Sequence, residues 1–166
     1  MKKIILLLLC FTATNLFAQQ TKSFSVTGIV KKASTITIDT LLKYAQKDIG
    51  GINITSHTGD FKHRDEKLQG VLLKDVLSNT VYDVSSPKLL SELYLVFVAA
   101  DGYKVVYSWN ELYNTETGNN VYIITTKNGI KLDAMPESIQ MVSPLDFKTG
   151  RRYLHNLSKI IIKRAD

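Results

Sequence analysis

His57 and His63 lie six residues apart in the polar stretch Ser56-His57-Thr58-Gly59-Asp60-Phe61-Lys62-His63-Arg64-Asp65. Neutral imidazole ligates divalent metals. Imidazole beside Lys62 and Arg64 also suits an anion, so the residue types fit either ligand. The spacing matches no established metal signature, and a solvated polar loop is the simpler reading. A second basic group, Lys148, Arg151 and Arg152, surrounds Gly150. Forked guanidinium groups with backbone donors beside a glycine suit a phosphate or carboxylate, with a charged solvated turn as the alternative. His155 lies between Leu154 and Asn156 and reads as a core or sheet-face residue. No Ser–His–Asp set, paired carboxylates or phosphate-binding glycine loop stands out in the linear order.

The one cysteine of the 166 residues is Cys10. It follows Lys2-Lys3 and lies inside the apolar run Ile4–Phe11, and Ala18 precedes Gln19. That order predicts a secretory signal peptide over residues 1–18, since the run is too short to span a bilayer. A lipid anchor at Cys10 expects a small residue before it, where this chain has Leu9. Removing 18 residues leaves 148, enough for one domain over 19–166. The removed piece carries two lysines and no acid, so the net charge falls from +6 to +4. This mild excess suits anionic ligands or surfaces and is too diffuse for nucleic acid. The exported chain would hold no thiol, which excludes disulfides and thiolate chemistry. Beyond the leader no apolar stretch reaches membrane-spanning length, so no stable membrane insertion is expected.

A frame of short strands must position these side chains. Phe24, Val26 and Ile29-Val30 alternate as a strand, with Gly28 marking a bulge or close approach. Ile36 and Ile38 give a second strand, and Asp39 is the expected cap of a helix over Thr40 to Gln46, with Leu41, Leu42 and Ala45 on one face. Gly50-Gly51 should end that element. Ile52 and Ile54 begin a strand that runs out in the polar stretch Ser56 to Lys67. Leu72, Leu73, Val76 and Leu77 predict a helix over Gly70 to Leu77. Tyr94 to Ala99 and Tyr103 to Tyr107 form a hairpin across Asp101-Gly102. Ser108-Trp109-Asn110-Glu111 has capping-box form, with Trp109 expected in the core. Val121 to Thr125 and Ile130 to Leu132 flank the turn Lys127-Asn128-Gly129. Ile139 to Val142 and Leu157 to Ile162 complete the strands. Many short strands with few helices predict a β-rich α+β domain around a mixed or antiparallel sheet.

The order of several segments carries a resemblance. They are Phe24 to Val30, Thr37-Ile38-Asp39-Thr40-Leu41, Leu68 to Leu77, Val98 to Tyr103, Tyr107 to Leu112, and Gly150-Arg151-Arg152-Tyr153-Leu154-His155-Asn156-Leu157. Together they resemble the oxidoreductase molybdopterin-binding domain family, the sulfite-oxidase type of fold, over nearly all of residues 19–166. In that family a Cys-x-Gly-Asn stretch supplies a thiolate to molybdenum beside a pterin dithiolene. The corresponding stretch here is His57-Thr58-Gly59-Asp60, with His57 in the cysteine position. Imidazole is a poorer partner than thiolate for such a centre. The resemblance also implies that the loop around Gly150 approaches the cofactor's phosphate end, and that Asp101-Gly102-Tyr103 lines the pocket.

Two functions follow as expectations. One is an exported, periplasmic or secreted, non-catalytic module that binds a small anionic ligand or another exported protein. The other is a pterin- or molybdopterin-dependent oxidoreductase without the usual cysteine. Its cofactor would be held by His57, Arg64, Lys148, Arg151 and Arg152, with molybdopterin implied by the resemblance alone.

Overall fold

A computed structural model describes residues 20–165. The expected signal peptide over 1–18, Cys10 included, lies outside the described residues. The strands are β1 (Ser23–Gly28), β2 (Ser34–Thr37), β3 (Lys47–Thr55), β4 (Phe61–Leu72), β5 (Leu93–Ala99), β6 (Lys104–Ser108), β7 (Tyr122–Lys127), β8 (Ile130–Lys131), β9 (Met141–Val142) and β10 (Leu157–Arg164). The helices α1 (Ile38–Leu41), α2 (Leu73–Val76) and α3 (Trp109–Tyr113) are little more than single turns. One sheet has the order β2-β1-β10-β5-β6, and only its β1–β10 pair is parallel. The other runs β3-β4-β7, with β8 and β9 pairing different stretches of β7, all antiparallel. The β-rich α+β architecture expected from the strand pattern is the one observed.

The apolar alternation of each strand decides which face is buried. Phe24 and Val26 of β1, Leu95 and Phe97 of β5, and Ile160 and Ile162 of β10 enter the main core. The run Ile123-Ile124 in β7 is buried on both faces. Ile123 joins the main core, and Ile124 joins a smaller cluster with Ile52, Ile54, Leu68 and Tyr153. Sealing each such aliphatic side chain from water contributes about 1.5–3 kcal/mol. Gly28 is the close approach expected of it. Its φ is +92°, and a Cβ there would sit 2.0 Å from the Ile162 carbonyl oxygen.

Four local expectations are corrected. The helix after β2 is one turn, and its cap is Thr37, whose hydroxyl accepts from the Thr40 amide at 3.2 Å. Only Leu41 of the expected face is buried, while Leu42 and Ala45 are exposed. With one buried contact, nothing holds further turns in place. Gly50-Gly51 lies inside β3 instead of ending an element. The polar stretch after Ser56 is largely strand, because β4 begins at Phe61 and pairs with β3 through His63, Arg64 and Asp65. Ladder hydrogen bonds do not require apolar side chains, and polar cross-strand pairs such as Arg64 with Asn53 substitute for them. The helix expected over Gly70 to Leu77 is confined to Leu73–Val76, since Gly70 to Leu72 complete β4.

Candidate functional site

Three loops from both sheets meet at one place. The β3–β4 turn is built by Ser56, whose hydroxyl oxygen accepts from the amides of Thr58, Gly59 and Asp60 at 3.2, 3.2 and 3.1 Å. The Thr58 hydroxyl donates to the Asp60 carboxylate at 2.5 Å, and the Ser56 hydroxyl reaches the same carboxylate at 3.2 Å. These hydroxyls hold the Asp60 carboxyl below its ordinary range, Thr58 first. The turn therefore satisfies its own amides, and they are not free to cradle an anion. His57 is exposed at its tip.

The second loop, Lys148 to Arg152, is stitched to the end of β3. Thr149 is the stitch, since its hydroxyl donates to the Asn53 carbonyl at 2.8 Å and accepts from the Thr55 amide at 3.1 Å. Gly150 packs so closely that a Cβ would lie 1.9 Å from the Thr55 carbonyl oxygen. Next to it, Arg151 Nε donates to the His57 carbonyl at 2.9 Å. The third loop is the β5–β6 turn. There Asp101 accepts from the Tyr103 amide at 2.9 Å, the expected hairpin, and the Tyr103 hydroxyl reaches the Arg151 carbonyl at 2.6 Å. His57, Lys148 and Arg151 thus come together, with Tyr103 beside them.

Arg152 points elsewhere. Its Nε and Nη2 donate to the two oxygens of Asp146 at 2.7 and 2.5 Å, and Nη1 donates to Glu111. Its guanidinium carbon lies 4.2 Å from the centre of the Tyr107 ring. The bond to Asp146 raises its affinity for the proton above the usual arginine value, with Glu111 adding to it and burial opposing. Both faces of its fork are committed to protein carboxylates. The expectation that Glu111 closes a capping box is met in half. Ser108 accepts from the Glu111 amide at 3.0 Å, but the Glu111 carboxylate turns to Arg152.

Arg64 bonds Glu66 at 2.6 Å and Asn53 at 2.9 Å. His63 lies 3.5 Å from Asp65. Successive strand residues face opposite sides, so Lys62, His63 and Arg64 do not close on one anion. Behind β4 lies a polar cluster absent from the sequence reading. The Tyr153 hydroxyl lies 2.8 Å from both Asp65 and Gln140, and Lys127 Nζ lies 3.0 Å from Gln140 and 2.7 Å from Glu137. Burial pushes up the Tyr153 hydroxyl, with the Asp65 charge adding to it. Lys127 sits at a hairpin turn in sequence, which hides its inward reach.

Lys148 and Arg151 line an open cleft of about 540 Å³ together with Asp146 and Phe147. A second cleft of about 460 Å³, lined by Arg64, Asn53 and Thr149, also borders Phe147. The donors here do not fit a thiolate-held molybdenum. No cysteine occurs among the described residues, and no group of three His, Cys, Asp or Glu there can hold a metal. The amides beside His57 are taken by Ser56, and Arg152 is taken by Asp146 and Glu111.

The fold has a counterpart among solved structures. Sulfane dehydrogenase SoxCD from Paracoccus pantotrophus matches with a TM-score of 0.62 at 15% identity, over 84% of this chain and 37% of that chain. The chain therefore spans little more than a third of that chain's length. No family model matches it, and neither does any curated protein sequence. The likeness establishes the fold alone: a β-rich α+β domain folded like part of that dehydrogenase.

Proposed function

We propose that this chain is an exported, non-catalytic binding module that takes a small anion, phosphate or carboxylate, at Lys148 and Arg151. One observation carries the reading. Three loops fasten Lys148 and Arg151 to the rim of an open cleft, and among the described residues neither makes an ion pair. Arg152 binds the nearby Asp146 and Glu111 and offsets one of their two charges, and neither acid pairs with Lys148 or Arg151. A cation pair with no acid of its own attracts an anion, and a fork with free nitrogens orients it. His57 contributes its backbone carbonyl to Arg151 and so positions the fork. Arg64 borders the neighbouring cleft.

Titration of the purified chain with phosphate and with acetate, followed by amide chemical shifts, tests this. Shifts should concentrate at Gly59, Gly150 and Arg151. The Lys148→Ala and Arg151→Ala pair should weaken phosphate binding about tenfold or more, because charge-assisted bonds are worth about 1.5–3 kcal/mol each. Unchanged affinity in that pair, or no shifts in the wild type, overturns the proposal. So does stoichiometric molybdenum or a visible cofactor band in protein purified from its native source, which would favour the pterin-dependent oxidoreductase.

A further inference from the structure

The loop from Pro144 to Lys148 turns two apolar side chains into water. Phe147 is fully exposed (102%), and Leu145 is 56% exposed. This is no loose segment. Asp146 between them is held by two bonds from Arg152 and by the Ser143 hydroxyl at 2.9 Å, and its amide bonds the Ser143 carbonyl at 3.2 Å. Arg152 is fixed in turn by Glu111 and the Tyr107 ring. A residue fastened inward leaves its two neighbours facing outward, so the loop displays Leu145 and Phe147 and cannot fold them away. Phe147 also borders two clefts, of about 540 and 460 Å³.

We propose that Leu145 and Phe147 form a docking ridge for a partner protein that offers an apolar pocket rimmed by carboxylates. This rests on the reading that Lys148 and Arg151 are anion ligands, and it names their anion as the partner's carboxylates. Shape selects a protein over a bilayer. A flat membrane would leave the clefts beside Phe147 filled with water, whereas a protein surface can enter them. Charge selects an acidic rim, since the cations beside the ridge make no ion pair among the described residues. An aromatic at the centre of an interface, ringed by contacts that exclude water, is the usual form of a binding hot spot.

A random-peptide display library panned against the full chain tests the ridge. Peptides that combine apolar residues with Asp or Glu should enrich. Their affinity should fall about thirtyfold or more for Phe147→Ala. It should fall by a smaller factor for Leu145→Ser, and become insensitive to salt in the Lys148→Ala, Arg151→Ala pair. Both ridge positions are exposed, so unchanged melting temperatures will show that the variants are folded. Phosphate binding should survive Phe147→Ala, which separates the two proposals. If the wild type binds no free phosphate, while acidic apolar peptides still dock through Phe147 and lose their salt dependence in the Lys148→Ala, Arg151→Ala pair, binding of a free small anion is overturned and the ridge stands. The ridge is overturned if no acidic apolar peptide enriches, or if enriched peptides bind Phe147→Ala as well as wild type. Phe147-dependent binding to phosphatidylglycerol-containing vesicles in place of peptides also overturns it.

Discussion

Arg152 holds two carboxylates, and each depends on it. Its side chain is 23% exposed, against 12% for Asp146 and 31% for Glu111. Arg152→Met would leave both acids partly buried without a counter-charge, at a cost of about 2–4 kcal/mol. Arg152→Lys should cost less, because it keeps the charge and loses the fork. Urea unfolding of the two variants measures the order. The pairing also explains why residue type misled at this position. An arginine beside a glycine reads the same whether its fork is free or filled. His155 gives a second test. Burial, first among its causes, holds its pKa below the ordinary 6.5, and its Nδ1 is enclosed without a partner. The neighbouring Glu137 and Asp65 push the other way, and Lys127 and His63 act with burial. The unfolded chain therefore accepts a proton on His155 at a higher pH than the folded chain does. The stability this contributes is whole above about pH 6.5 and is lost as pH falls from there through the folded value. Melting temperature should drop over that window, and His155→Phe, which keeps the stacking on Tyr153, should flatten the drop.

Gly150 and Thr149 join two elements that are far apart in sequence. Gly150→Ala would drive a Cβ into the Thr55 carbonyl, and the backbone of either β3 or the loop must move. The expected cost is about 1–3 kcal/mol. Because Lys148 and Arg151 ride on that loop, phosphate binding should weaken in the same variant, read by calorimetry beside thermal unfolding. Much at this scale was legible in the chain. The hairpins at Asp101-Gly102 and Asn128-Gly129 were, because their turn residues carry their own conformational preference; Asn128 and Gly129 adopt φ of 53° and 81°. The polar half of β4 was not. Its side chains lack alternation, and its strand conformation comes from backbone bonds to β3, which no local pattern reports.

At the scale of the molecule, β10 is the centre of the first sheet, parallel to β1 on one side and antiparallel to β5 on the other. Deleting residues 157–166 would split the sheet into two hairpins, leaving β1 and β5 each without a neighbour on one side, and remove Leu157, Ile160 and Ile162 from the core. That variant should show no cooperative unfolding by circular dichroism. Lys148→Ala with Arg151→Ala should by contrast keep stability within about 0.5 kcal/mol of wild type, since both side chains are at the surface. What the sequence determined by itself is short in range: apolar alternation in the strands, turn chemistry, the Ser108 cap, and a region after residue 19 without a thiol. These signals act over a few residues and survive in any tertiary context. Only the folded chain decided which charges are free. Arg151 meets the carbonyl of His57 across 94 positions, and Arg152 meets Glu111 across 41. Partners at such separations are chosen by how the sheets pack, so two adjacent arginines of the same type end in different roles.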